Sequence, residues 1–157
     1  MEAGGRTSRP AIPHSDTLRC GGMSRGASLQ SGDNGFDLGL PGGSAAASTA
    51  RQALGQLPGD FDEALMGTMR LLVTELVTNS VRHAQAHSIS VKAVVRGSSI
   101  WLEVSDEGPG FDIQGALHEG AHRDESGWGL FLVEQLANRW GVRREDGATN
   151  VWLELQR

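Results

Sequence analysis

The sequence predicts an α+β fold, a two-layer α/β sandwich with helices on one face of a mixed, mostly antiparallel sheet. Three observations carry this. Residues 87–95 and 100–105 alternate apolar with polar side chains, the period of half-buried strands, and Arg96-Gly-Ser-Ser99 joins them as a hairpin connection would. Ahead of them, Leu65, Met69, Leu72, Leu76 and Ser80 form one helical stripe flanked by Met66, Val73 and Val77, which gives a long helix with a wide buried face. Behind them, residues 142–145 and 150–155 read as a second hairpin turning at Asp146-Gly147.

The other elements follow in order. Residues 1–34 are rich in Gly, Ser, Arg and Pro with little apolar periodicity, and read as a disordered tail before a folded domain over 35–157. Phe36-Asp-Leu-Gly-Leu40 alternates as a strand, and Pro41-Gly-Gly-Ser44 is a turn that places Ser44 as a helix N-cap. Residues 45–57 are Ala-rich and helix-prone, and Pro58-Gly-Asp60 ends that helix. Asp62 caps the long helix. From 107 to 126 the composition turns to Gly, Asp, Glu and His, a connection long enough to be a functional lid. A helix from Trp128 to about Asn138 follows, with Leu130, Val133, Leu136 and Ala137 facing in.

Composition narrows the function. The chain has 157 residues, a length for one domain. Its net charge of −5 argues against sequence-independent nucleic-acid binding. The single cysteine, Cys20, allows no internal disulfide. No apolar run approaches the roughly 20 residues of a membrane span, and the first residues lack the apolar centre of a signal peptide, so the expected place is the cytoplasm and not a membrane. Of the 14 basic residues only Lys92 is a lysine. No phosphate-binding loop of the G-x-x-x-x-G-K-[ST] type is present, nor the motif set of eukaryotic-type protein kinases. ATP chemistry here would rely on backbone amides, arginine and a metal ion.

Three segments have the residue types for such chemistry. In Glu75-Leu-Val-Thr-Asn79-Ser-Val-Arg82-His83, helical spacing puts a carboxylate, an amide and a cation on one helix face. Asp106-Glu-Gly108-Pro-Gly110 ends an apolar strand with a carboxylate and a Gly-rich turn. Such a carboxylate accepts from the exocyclic amine of adenine and disfavours guanine, whose matching group is a carbonyl. Gly127-Trp128-Gly129-Leu130 opens an amphipathic helix, an arrangement that offers backbone N–H groups to phosphate.

In this order and spacing the segments resemble the asparagine box and the two glycine boxes of the GHKL, or Bergerat-fold, ATPases, the superfamily of gyrase, histidine kinases and MutL. Within it they are most similar to the small bacterial anti-sigma-factor serine/threonine kinases. The resemblance covers about residues 36–157. It implies Mg²⁺ and ATP as cofactors, Glu75 as general base, Asn79 as the Mg²⁺ ligand and Asp106 as the reader of adenine. It implies that Gly108 and Gly110 let the backbone approach the base, and that Gly127, Trp128, Gly129 and Leu130 cradle the triphosphate. Arg82 would reach phosphate, His83 would pack on ribose or base, and Thr149 would help hold the adenine. The partners implied are a sigma factor and an antagonist protein, with homodimerisation through about residues 36–57.

One departure matters. Serine-kinase members often carry an arginine at or just before the second glycine box, whereas this chain has Glu125, Ser126 and Trp128 there, with Arg123 and Arg82 the nearest cations. Two readings therefore stand: a protein serine/threonine kinase acting in partner switching, and an ATP-dependent protein-binding module without transferase activity, whose nucleotide orders the 107–126 lid. A histidine kinase would need a dimerising helical hairpin that the first 34 residues do not supply.

Overall fold

A computed structural model of the chain describes residues 26–82, 84–109 and 128–157, with Trp128 described by its backbone only. Six strands form one sheet in the order β1-β2-β3-β4-β6-β5, and every pairing is antiparallel. The strands are β1 (Ser28–Gly32), β2 (Gly35–Pro41), β3 (Ser88–Arg96), β4 (Ser99–Asp106), β5 (Arg139–Glu145) and β6 (Ala148–Gln156). The helices are α1 (Ala46–Ala53), extended by a 3₁₀ turn over Leu54–Gln56, then α2 (Glu63–Arg82) and α3 (Trp128–Leu136).

Register sets the layers. Leu38 pairs with Val91, Val91 with Val104, and Val104 with Val151, all buried. Two residues along, Phe36, Ala93, Leu102 and Leu153 make the parallel row. These rows meet Met69, Leu72, Val73, Leu76 and Val77 of α2, with Leu130 and Val133 of α3, in one core. Because side chains alternate across a strand, the intervening residues lie on the opposite face. There Trp101 stacks on Trp152 with ring centroids 4.6 Å apart, and the guanidinium of Arg96 lies 5.0 Å from the Trp101 centroid.

Asp62 caps α2 as its spacing predicts, accepting the Leu65 N–H through Oδ1 at 2.7 Å. The Asp146-Gly147 turn has φ of 52° and 80°, the left-handed pair that a two-residue hairpin requires. Three details differ from the sequence reading. Residues 28–32, expected in the tail, form β1 and pair with β2, so ordered structure starts ahead of Phe36. Leu29 is the one apolar residue of this strand that enters the core, too few to show a period. Residues 1–25 lie outside the described residues. The N-cap of α1 is Ala45 and not Ser44, with no side-chain cap; the Ala46 N–H donates to the Gly43 carbonyl instead. Leu136 is 40% exposed, at the outer edge of the stripe that Leu130, Val133 and Ala137 turn inward.

Candidate nucleotide site

The site gathers at one end of the sheet, where β4 ends and β6 begins beneath the second half of α2. Asp106 is the last residue of β4 and shares the parity of Leu102 and Val104, so its side chain turns toward the helices. It pairs with Ile89 on one side and with Thr149 on the other. Both polar groups are buried, Asp106 at 9% exposure and Thr149 at 3%.

Two donors engage the Asp106 carboxylate. The Ser80 hydroxyl donates to Oδ2 at 2.6 Å, and the Gly108 N–H donates to Oδ1 at 2.9 Å. A buried carboxylate needs such partners, since an unpaired charge away from water costs several kcal/mol at least. The Gly108 bond folds the chain back just after the strand. There is no room for a side chain in that fold: a Cβ on Gly108 would stand 2.2 Å from the Ala84 Cβ. The sequence thus requires glycine at 108 for close approach to the end of α2. That end is itself shaped by Gln85, in the left-handed region at φ 48°, and by the Ala86 N–H donating to the Ser80 carbonyl at 3.2 Å.

A second cluster lies one turn back along α2. Glu75 and Asn79 are half-buried on the face that meets α3. Gly129 comes so close that a Cβ there would stand 2.3 Å from Asn79 Nδ2 and 3.6 Å from Glu75 Cβ. The start of α3 therefore rests on the carboxylate-and-amide face, and the following Leu130 is buried behind it. Glycine at 129 brings the α3 backbone against Asn79.

The structure thus joins Glu75 and Asn79 to Gly129 in one cluster, and Asp106 to Gly108 and Thr149 in another. Arg82 ends α2 with its side chain exposed. His83, Gly110 and Gly127 lie outside the described residues, as do Arg123, Glu125 and Ser126; of Trp128 only the helical backbone is described. Among the described residues no three His, Cys, Asp or Glu side chains converge on a metal position. A Mg²⁺ ion would depend on Asn79 and on oxygens brought by its ligand.

Ser80 and Ala84 were not singled out as site residues by sequence. Ser80 reads there as one member of a buried stripe. The available signal was its polarity: a hydroxyl at the one stripe position next to Asn79 needs a buried partner.

Residues 41–155 match the model of the histidine kinase-like ATPase domain. The chain is 31% identical over 94 residues, 51% of its own length, to the serine-protein kinase RsbW of Staphylococcus epidermidis, and as similar to that of Staphylococcus aureus strain MSSA476. The match spans 59% of the length of these relatives. With that family model matching residues 41–155, the greater part of its length, the chain belongs to the histidine kinase-like ATPase family.

Proposed function

We propose that the protein is a Mg-ATP-binding regulator of the anti-sigma type that phosphorylates a serine or threonine on a small antagonist protein. The observation that carries the reading is the pair of clusters presented by one helix, a buried acceptor beside a glycine turn and an amide-and-carboxylate face beside a glycine-opened helix. Both suit the proposed ligand. Asp106, held by two donors, is an acceptor for the amine of adenine, with Thr149 beside it. Asn79 would ligate Mg²⁺ through its side-chain oxygen, an adequate protein contribution when phosphates and water complete the shell. The backbone at Trp128, Gly129 and Leu130, with Gly127 before them, would meet the phosphates. Bound Mg²⁺ would neutralise charge on the phosphates.

In the transfer, the substrate hydroxyl oxygen bonds to the γ-phosphorus, the bond to the ADP oxygen breaks, and Glu75 takes the hydroxyl proton. Glu75 lies one helical turn before Asn79, which puts the base beside the metal ligand. Arg82 and His83 are proposed at the phosphate and the ribose. The likeness to serine-protein kinases supports this assignment. A sigma factor and its antagonist are the proposed partners, and the cytoplasm the proposed location. Among the described residues, no helix is long and apolar enough to cross a membrane.

A second reading keeps the nucleotide and drops the transfer. It is favoured by the acid at Glu125 and the uncharged Trp128 where kinases of this type often place a cation. Stabilising charge on the γ-phosphate is the larger part of such catalysis, so its loss weakens transfer before binding. Incubation of the protein with Mg-ATP and a candidate antagonist separates the two. Under the first reading the antagonist gains a phosphoserine or phosphothreonine, and Glu75→Ala abolishes this while ATP still binds. A parent protein that binds ATP and its partner without phosphorylating it supports the second.

A further inference from the structure

Helix α2 carries three described hydroxyl side chains whose protons have assigned acceptors, and they are used in two ways. Thr68 donates to the Ala64 carbonyl and Thr74 to the Arg70 carbonyl, both four residues back on the same helix. That local bond is the usual use of a helical hydroxyl. Ser80 instead spends its proton across 26 residues of sequence, on Asp106 Oδ2 at 2.6 Å. It does so at 5% exposure, next in the chain to Asn79.

We infer that Ser80 is a positioning residue for base recognition: it holds Asp106 as an oriented acceptor and so sets the preference for a 6-amino over a 6-oxo purine. The inference rests on reading this site as an adenine-nucleotide site. Its physical basis is the donor count. Gly108 N–H fixes one carboxylate oxygen and Ser80 the other, so the plane of the group cannot turn. With a donor on each oxygen, the lone pairs left over on the carboxylate point in one fixed direction. A fixed acceptor suits the amine of adenine and disfavours the carbonyl of hypoxanthine or guanine. Without the hydroxyl, the buried carboxyl keeps a single backbone donor. It is then free to turn, and the acceptor is no longer aimed at the 6-position of the purine.

The position of Ser80 is itself fixed. Its carbonyl accepts the Ala86 N–H, and Ala84, four residues further along, abuts Gly108. Ser80, in the last turn of α2, and Ala84, just past its end, thus touch the same turn, one by a hydrogen bond and one by packing. Because Asn79 and Ser80 are adjacent, about 100° apart around the helix, one turn of α2 faces both α3 and the end of β4.

The test titrates the full chain with Mg-ATP and Mg-ITP, whose bases differ by the 6-amino against the 6-oxo group, beside thermal melting. The parent is expected to prefer ATP. Ser80→Ala is expected to weaken ATP about tenfold, the scale of a lost hydrogen bond to a charged group, while ITP changes little, so the preference shrinks about tenfold. Ser80→Thr, which keeps the hydroxyl, is expected to retain the preference. Should Ser80→Ala fail to fold, Ser80→Cys, close in size with a much weaker donor, is expected to shrink the preference in the same direction. A folded Ala or Cys variant with the parent's ATP-to-ITP ratio overturns the inference, and so does equal weakening of both nucleotides. A folded parent that binds neither nucleotide, or both alike, overturns the adenine-site reading together with it.

Discussion

The two halves of the site are built by different physics. The Asp106 end is hydrogen-bonded: a carboxylate on a sheet strand takes one bond from a helix side chain and one from its own turn. The Asn79 end is packed: two helices approach because one of them has a glycine at the contact. A hydrogen-bonded carboxylate has one geometry and fails when a donor is lost. A packed helix contact fails when volume is added. The first kind of construction suits the choice of a base, which needs a fixed acceptor. The second suits a phosphate cradle, which needs backbone amides brought close to a metal ligand.

That contrast yields ordered expectations. Asp106→Asn is expected to have the largest effect, weakening adenine nucleotides about 30- to 100-fold, on the scale of about 2–3 kcal/mol for a bond to a charged group. Calorimetric titration checks it. The same substitution at the two glycines then separates the halves. Gly108→Ala drives a methyl into Ala84 and Gly129→Ala drives one into Asn79. Each is expected to cost about 1–3 kcal/mol in thermal stability. Gly108→Ala is also expected to erode the preference for ATP over ITP, whereas Gly129→Ala weakens both and leaves their ratio unchanged. Matching changes in ratio would collapse the contrast.

Two smaller effects lie away from both clusters. Asp62→Ala removes the cap of α2 and is expected to lower stability by about 1 kcal/mol without changing the ATP-to-ITP ratio. Gly67→Ala goes the other way. It sits in α2 with nothing within 4 Å of an added Cβ, so alanine is expected to stabilise the protein by about 0.5–1 kcal/mol. Melting curves read the opposite signs of Gly67→Ala and Gly129→Ala directly.

Much of the fold was legible because period and punctuation agree in this chain. The α2 stripe, the β3–β4 hairpin and the Asp146-Gly147 turn each have a local cause that sequence displays. Strand β1 was not legible, since its one buried apolar residue, Leu29, gives no alternation and its order comes from pairing with β2. Leu136 was misplaced because an apolar residue near a helix end fits a stripe by composition while its angle takes it outward. Within the site, Glu75, Asn79, Asp106 and Gly129 stood out by residue type and spacing. Ser80 did not, because its role is a contact between residues 26 apart in the chain, and periodicity carries no information about that separation.

Titration of the folded parent with ATP, ADP and GTP in Mg²⁺, beside Asp106→Asn and Asn79→Ala, tests the nucleotide site most directly. Binding of both adenine nucleotides in preference to GTP is expected. Asp106→Asn is then expected to weaken ATP and ADP alike, and Asn79→Ala to remove the Mg²⁺-dependent share of ATP affinity. A folded parent that binds no nucleotide, or binds GTP as well as ATP, would contradict the account.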